Sequence, residues 1–318
     1  MNTPDNLPVD VDEQRSWLLA HKDLSGLSWP ALATQMGLKS GTISVFATGK
    51  YQGDNDRIAR DIFRFRQKLT SQADLALDAP IIPGYFDTPT SRRVQSTLLW
   101  GQRGRMVAMA MGPGTGKTTA LLNFRDAMSN VWVVTMSPSS AGVNNMCIKV
   151  LEALGEKGAR GSSQSLSARI RERLTGTGGL LAFDEAQHLS VPALEEIRSW
   201  HDETGVGIAL LGNETVVSRI EGGQRKAIFA QLYSRISMRH VQALPLKEDA
   251  EALAAAWEVT EERQVRYIVK QASMPGGLRG VTMMMELATV IANGDREPRT
   301  LSHLTDAWAQ LTSRPLGA

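Results

Sequence analysis

Three alternating glycines, a proline, a lysine and three threonines stand together in Gly112-Pro113-Gly114-Thr115-Gly116-Lys117-Thr118-Thr119. Glycines let a backbone curl until its N–H groups converge on an anion, and a helix beginning at the lysine adds the positive end of its dipole. The chemistry implied is phosphate binding: Lys117 would reach the β and γ phosphates, and the Thr118 hydroxyl would hold Mg²⁺. The apolar run Met106–Met111 reads as the strand feeding the loop and Lys117–Met128 as the helix leaving it, the context a phosphate loop requires. One position departs from the usual pattern. Met111 stands six residues before the lysine, where such loops carry their first glycine, so the geometry of the loop's entry is the open point.

Further along, Gly179-Leu180-Leu181-Ala182-Phe183-Asp184-Glu185 is an apolar strand candidate ending in two carboxylates. Asp184 would position the Mg²⁺ hydration shell and Glu185 would orient the attacking water. An acidic pair after a strand can also cap a helix, but the phosphate loop upstream favours the chemical reading. Asn213 follows another strand candidate and suits either a hydrogen bond to the γ-phosphate or attacking water, or a turn after glycine. Phosphoryl transfer also calls for positive charge at the transferring group, often from an arginine supplied by a neighbour. Arg235, before a weak last strand, and Arg279, at the start of a helix in the C-terminal part, are the candidates.

These residues need a scaffold, and the pattern around them is α/β. Strand candidates at 106–111, 131–136, 180–184, 208–212 and 237–241 alternate with helical stretches, which implies a parallel sheet. From Pro245 onward only helical patterns follow, at 247–257, 261–272, 277–292 and 301–312. The expected organisation is a helical domain over 1–70, a Pro-spotted linker over 71–90, an α/β core over 91–243 and a helical lid over 244–318. At 318 residues the chain has room for a sizeable core, and 42% hydrophobic residues excludes a disordered chain. Its one cysteine, Cys147, excludes a disulfide framework and a multi-cysteine zinc site and reads as a small buried residue. No apolar run approaches the ~18 residues of a membrane span. The polar, acidic start resembles no secretory signal, so a cytoplasmic location is expected.

The net charge of +2 conceals opposed local charges: residues 1–25 sum to −3 and residues 39–70 to +4. Within 28–47, a capped helix closes at Gly37 and a second carries Ile43 and Phe46 on its inner side. Small Ala33, turn Gly37 and those two apolar positions have the spacing of a helix-turn-helix. The outer face of the second helix presents Ser40, Thr42 and Ser44, with Lys39 and Lys50 at its ends, a set suited to phosphates or base edges in double-stranded DNA without much sequence choice. A third helix is expected after Asp54, with Ile58, Ile62 and Phe65 at helical spacing. A helical bundle using the same motif for protein contact is the alternative. Lys157 and Arg160, in a Gly/Ser-rich loop before Arg169, Arg171 and Arg173, form a second candidate DNA contact. A third cluster comprises Arg219, Arg225, Lys226, Arg235 and Arg239.

The order of phosphate loop, Asp184-Glu185, Asn213, Arg235 and Arg279, followed by an all-helical lid, resembles the AAA+ ATPases. Within that superfamily the chain resembles the MuB transposition proteins of Mu-like phages over nearly its whole length. The supporting segments are Thr42-Ile43-Ser44 with Tyr51-Gln52-Gly53-Asp54-Asn55, Asn130-Val131-Trp132-Val133-Val134-Thr135, Asp184-Glu185-Ala186 and Leu232-Tyr233-Ser234-Arg235-Ile236. The resemblance implies ATP and Mg²⁺ as cofactors, ATP-driven self-assembly into helical filaments on DNA, and a transposase partner that binds the filament and stimulates hydrolysis. A helicase-loader-type ATPase and an ATP-switched transcription regulator share parts of this pattern and are the rival functions.

Overall fold

The computed structural model describes residues 9–77, 80–216 and 234–312, divided between two compact units, residues 1–79 and 80–318. Four helices build the first unit: α1 (Val11–Ser25), α2 (Trp29–Met36), α3 (Ser40–Ala47) and α4 (Asn55–Leu77). Their ends are written in the sequence. The Asp10 carboxylate accepts the Asp12 and Glu13 N–H groups at the start of α1, and Ser28 accepts the Ala31 N–H at the start of α2. Gly37 closes α2 in the left-handed conformation at φ +67°. The packing core comprises Leu18, Leu32, Ile43, Phe46, Ile58 and Ile62, all fully buried. Arg15 ties the end of α3 down by donating to the Phe46 carbonyl (3.1 Å) and to Asn55 Oδ1 (2.9 Å), with its guanidinium over the Phe46 ring. Asp54 caps α4 through the Arg57 N–H (2.9 Å), and Phe65 meets Trp17 and His21 edge-on.

The linker expected over 71–90 is shorter than its sequence boundaries. Residues 71–79 contain neither glycine nor proline, and their alanines, leucines and glutamine let α4 run on to Leu77. At the other end Pro89 opens α5 (Pro89–Gln102), where its missing N–H costs nothing. Thr88 caps that helix through the Ser91 N–H (2.9 Å).

In the second unit β1 (Met106–Met111), β2 (Val131–Thr135), β3 (Leu180–Asp184), β4 (Gly207–Gly212) and β5 (Ile236–Gln242) form one parallel sheet in the order β2-β3-β4-β1-β5. The three central strands are buried at every residue, which is why their sequences read as unbroken apolar runs. The weak strand signal near 237–241 has the opposite cause. β5 is an edge strand, buried at Ile236 and Gln242 and open to solvent between them.

Against the sheet lie α5, α6 (Lys117–Ala127), α7 (Val143–Ala153), α8 (Ser163–Leu174) and α9 (Val191–Thr204), with separate apolar clusters on the two faces. Cys147 on α7 is fully buried, and burial, reinforced by the charge of Glu196, pushes its thiol up to about 12. It stays protonated and serves packing. The C-terminal helices α10 (Lys247–Ala256), α11 (Glu262–Ala272), α12 (Gly277–Asp295) and α13 (Leu301–Thr312) surround a core of their own that includes Leu253, Trp257, Ile268, Met284 and Leu304. Among the described residues no helix is long and apolar enough to cross a membrane.

Candidate nucleotide site

Open parallel sheets place ligands beyond the carboxyl ends of their strands, where the strand order reverses. Here β1 lies between β4 and β5, and its carboxyl end runs into the loop 112–116. The departure at Met111 is absorbed by the sheet. Met111 pairs with Gln242 and is fully buried in the cluster containing Val94, Leu98 and Leu121. The close approach usually made possible by a glycine there falls one residue later. The Gly112 N–H donates to the Gln242 carbonyl (2.9 Å), and a Cβ on Gly112 would stand 1.9 Å from the Ala243 carbonyl oxygen. Gly114, at φ +72°, is equally constrained: a Cβ would meet the Gly276 carbonyl oxygen at 2.0 Å, and the Gly114 carbonyl accepts the Leu278 N–H (2.8 Å). The phosphate loop is therefore seated on the first turn of α12. Thr115 closes it from within by donating to the Gly112 carbonyl (2.9 Å), and Gly116, at φ +87°, is the cap of α6.

The carboxylates of β3 arrive beside this loop. Asp184, only 2% exposed, accepts the Thr118 hydroxyl at 2.7 Å and the Glu185 N–H at 3.0 Å. Lys117 Nζ lies 3.9 Å from Glu185 Oε1. Glu185 holds a left-handed backbone conformation (φ +54°, ψ +38°), which a residue with a Cβ adopts only where its surroundings impose it. Those surroundings include Gln187, a residue that carries no motif in the sequence. Its amide nitrogen donates to Glu185 Oε2, and its oxygen accepts the Asn213 N–H (3.4 Å). Gly212 is the glycine this arrangement needs, because a Cβ there would sit 2.3 Å from that Gln187 oxygen. Asn213 turns its own side-chain oxygen to the Thr215 N–H (3.0 Å), starting the next helical turn.

A cleft of about 580 Å³ opens over Pro113, Gly114, Gly116, Lys117, Thr118 and Thr119, and Glu185 and Arg279 line it as well, within the size range of small-molecule sites. Its apolar wall was not legible as such. Pro83, Tyr85 and Phe86, assigned from sequence to the linker, line it together with Leu253, Leu278 and Met283 of the helical part. Phe86 packs on the C-terminal core, and the Tyr85 hydroxyl accepts from Gln95 (2.8 Å). The Thr118–Asp184 pair fits Mg²⁺, which takes one or two protein oxygens and completes its shell with phosphates and water. A cage of three or more His, Cys, Asp or Glu is absent among the described residues.

Other expected residues lie elsewhere. Arg235 stands at the amino end of β5, where Ile236 pairs with Met106 at the start of β1. With ~3.3 Å per strand residue it is roughly 23 Å along the sheet from the loop that follows Met111. It is 47% exposed and held by Asp202 (2.9 Å); that bond raises the arginine's pKa and lowers the aspartate's. Lys157 and Arg160 are exposed, but the three arginines of α8 are engaged within the fold. Arg169 and Arg173 pair with Glu156, and Arg171 with Glu196 and Glu203. That correction to the expected basic helix follows from acidic residues distant in sequence. In the first unit Lys39 and Lys50 are exposed, Ser40, Thr42 and Ser44 are half-buried, and Ser44 donates to the Gly41 carbonyl (3.1 Å). Arg239 lies on β5 beside a shallow groove with Arg93. Arg219, Arg225 and Lys226 lie outside the described residues.

Parallel sheet, phosphate loop and helical C-terminal part define an ATPase of the AAA class. An AAA domain model matches residues 102–220, and the ORC2 protein of Aeropyrum pernix shares the fold with a TM-score of 0.50 at 16% identity, over 69% of this chain and 66% of that one. The Mu B transposition protein C-terminal model matches residues 234–311. Over 304 residues the chain is 33% identical to ATP-dependent target DNA activator B of Escherichia phage Mu, covering 95% of this chain and 96% of that protein. The same protein of Escherichia phage D108 matches to the same extent. The Mu-like prophage FluMu DNA transposition protein B of Haemophilus influenzae is 32% identical over 83% of this chain and 92% of its own length. The chain belongs to the Mu B family of transposition proteins.

Proposed function

We propose that this protein binds ATP in the cleft above β1, assembles through it into a helical filament on double-stranded DNA, and delivers that DNA to a partner transposase. The observation that carries the reading is the separation of Arg235 from the phosphate loop of its own subunit. Lys117, Thr118, Asp184, Glu185 and Arg279 gather beyond the carboxyl ends of the strands, while Arg235 stands at the amino end of β5. A transition state short of one positive charge is completed by a second subunit, so nucleotide and assembly become one equilibrium. Relatives bearing the name ATP-dependent target DNA activator support the DNA and transposition part.

In this reading the backbone N–H groups of 114–116 and Lys117 hold the β and γ phosphates. Thr118, and Asp184 through water, would hold Mg²⁺, which would supply positive charge against those oxygens. Glu185 takes a proton from a water molecule as its oxygen attacks the γ-phosphorus, and the bond from that phosphorus to the β–γ bridging oxygen breaks, leaving ADP and phosphate. Gln187 fixes the carboxylate of Glu185 and ties it to the Asn213 N–H, and in this reading Asn213 senses the γ-phosphate. Arg279 contributes charge from the same subunit. On the DNA side, Lys39, Lys50, Ser40, Thr42 and Ser44 contact the backbone and groove from a helix-turn-helix, with Lys157 and Arg160 as further contacts.

Electron microscopy of the full-length protein with duplex DNA, with and without ATP, tests this directly. Filaments that require both DNA and ATP are the expected result. Filaments of equal length without nucleotide, or a single sequence-specific footprint with negligible turnover, would overturn it.

A further inference from the structure

Asp249 is a fully buried carboxylate that the chemistry above does not use. No cation faces it. Its charge rests instead on the amino ends of two helices, a favourable place for an anion. It is the third residue of α10 and accepts the Leu246 N–H at that helix's own cap (2.8 Å). From α5 it accepts the Thr90 N–H (2.9 Å) and the Thr90 hydroxyl. The same Thr90 hydroxyl accepts from Gln242 Nε2 (2.8 Å), whose amide also donates to the Leu244 carbonyl (3.0 Å). The backbone carbonyl of Gln242 in turn receives the Gly112 N–H of the phosphate loop (2.9 Å).

A continuous polar chain therefore runs from the phosphate loop through Gln242 and Thr90 to Asp249 and into the first helix of the lid. The phosphate loop, α5 and α10, which it joins through β5, all contribute to the walls of the nucleotide cleft. Thr88 and Ser91, flanking Thr90, line the cleft, and so does Leu253, one helical turn beyond Asp249. Residues that hold a site's walls at a fixed spacing govern how well a ligand meets all of them at once.

We propose that Asp249 is a positioning residue of the nucleotide site: it locks α5, the phosphate loop and the lid in the one arrangement that grips the nucleotide, and so couples nucleotide binding to the attitude of the lid. This rests on the reading of the cleft as an ATP site. Asparagine at 249 keeps the size but turns one oxygen into a donor. That donor must face the Thr90 N–H, the Thr90 hydroxyl or the Leu246 N–H, leaving a buried donor without an acceptor.

The test is calorimetric titration of full-length protein with ATP and Mg²⁺, alongside thermal unfolding with and without ATP. Asp249→Asn is expected to raise the Kd for ATP about 10-fold, and with it to shrink the rise in Tm that ATP produces. Thr90→Val, which removes the shared hydroxyl, is expected to do the same, while Thr90→Ser, which keeps it, stays within about 2-fold of the unmodified protein. Because both changes cut one network, the double variant binds at most about 2-fold more weakly than the worse single variant. A Kd unchanged in Asp249→Asn and in Thr90→Val, with Tm lowered equally in the presence and absence of ATP, overturns the proposal and leaves Asp249 a helix cap. If Asp249→Asn does not fold, the Thr90→Val and Thr90→Ser pair decides by the same criterion. Unmodified protein that binds no ATP overturns the nucleotide-site reading itself, and this proposal with it.

Discussion

In the cleft beyond β1 the functional side chains hold one another. Thr118 is bonded to Asp184, Lys117 faces Glu185, and Gln187 ties Glu185 to the backbone of Asn213. On the outer face of α3 the candidate contacts are held by their own helix or by nothing but solvent: Ser44 bonds back to the Gly41 carbonyl, and Lys39 and Lys50 are exposed. The difference follows the ligand. Transferring a phosphoryl group needs charges fixed to within a fraction of an ångström before the substrate arrives. Gripping a uniform phosphate backbone needs only mobile cations, each contributing a little and multiplied over many subunits.

Arg235, proposed to complete a neighbour's nucleotide site, stands at the amino end of β5, away from the phosphate loop of its own subunit. Arg235→Ala is expected to lower turnover of the assembled protein about 10³-fold or more, measured as phosphate release with DNA and ATP. Glu185→Gln is expected to be comparably inactive, by about 10²–10⁴-fold, while still binding ATP. Mixing the two variants is expected to restore turnover, since a Glu185→Gln subunit still carries the arginine that an Arg235→Ala site lacks. A mixture as inactive as its parts would place the missing arginine somewhere other than on a neighbour.

Lys117→Ala should weaken catalysis about 10²–10³-fold and abolish ATP-dependent assembly; filaments forming with this variant would uncouple the cleft from polymerisation. A smaller loss, about 10-fold in kcat with ATP affinity preserved, is expected for Gln187→Ala. In Glu185→Gln the same change should cost almost nothing more, because Gln187 acts through Glu185; additive losses would give Gln187 a separate role. The smallest effects belong to the mobile surface. Lys39→Gln with Lys50→Gln should weaken duplex binding a few-fold at moderate salt and flatten the slope of log affinity against log salt by about 2. An unchanged slope would remove α3 from the DNA interface.

How legible each part was depends on the range of the interaction behind it. Helix ends at Asp10, Ser28 and Gly37 and the buried strands β1, β3 and β4 are local matters of capping and apolar periodicity, and they stand where the sequence puts them. α4 runs on to Leu77, beyond the boundary at 70, because residues 71–77 are helix formers and the prolines that stop a helix come only at 80, 83 and 89. That the arginines of α8 pair within the fold could not be read from the helix alone, because their partners Glu156, Glu196 and Glu203 lie outside it. Gln187 and Asp249 were invisible for the same reason. A glutamine two residues after a glutamate, or an aspartate at a helix start, says nothing about which distant N–H it will meet.

By itself, then, the sequence determined the phosphate loop, the carboxylate pair, the alternation of strands and helices and the family, because each depends on residue types a few positions apart. Tertiary structure alone decided that Met111 belongs to the core, with Gly112 making the close approach; that Pro83, Tyr85 and Phe86 wall the nucleotide cleft; and that Arg235 lies at the opposite end of the strands from the loop it would serve. Those outcomes depend on strand order and on which side chains the packing of the sheet brings within bonding distance, and neither is encoded in the spacing of neighbouring residues.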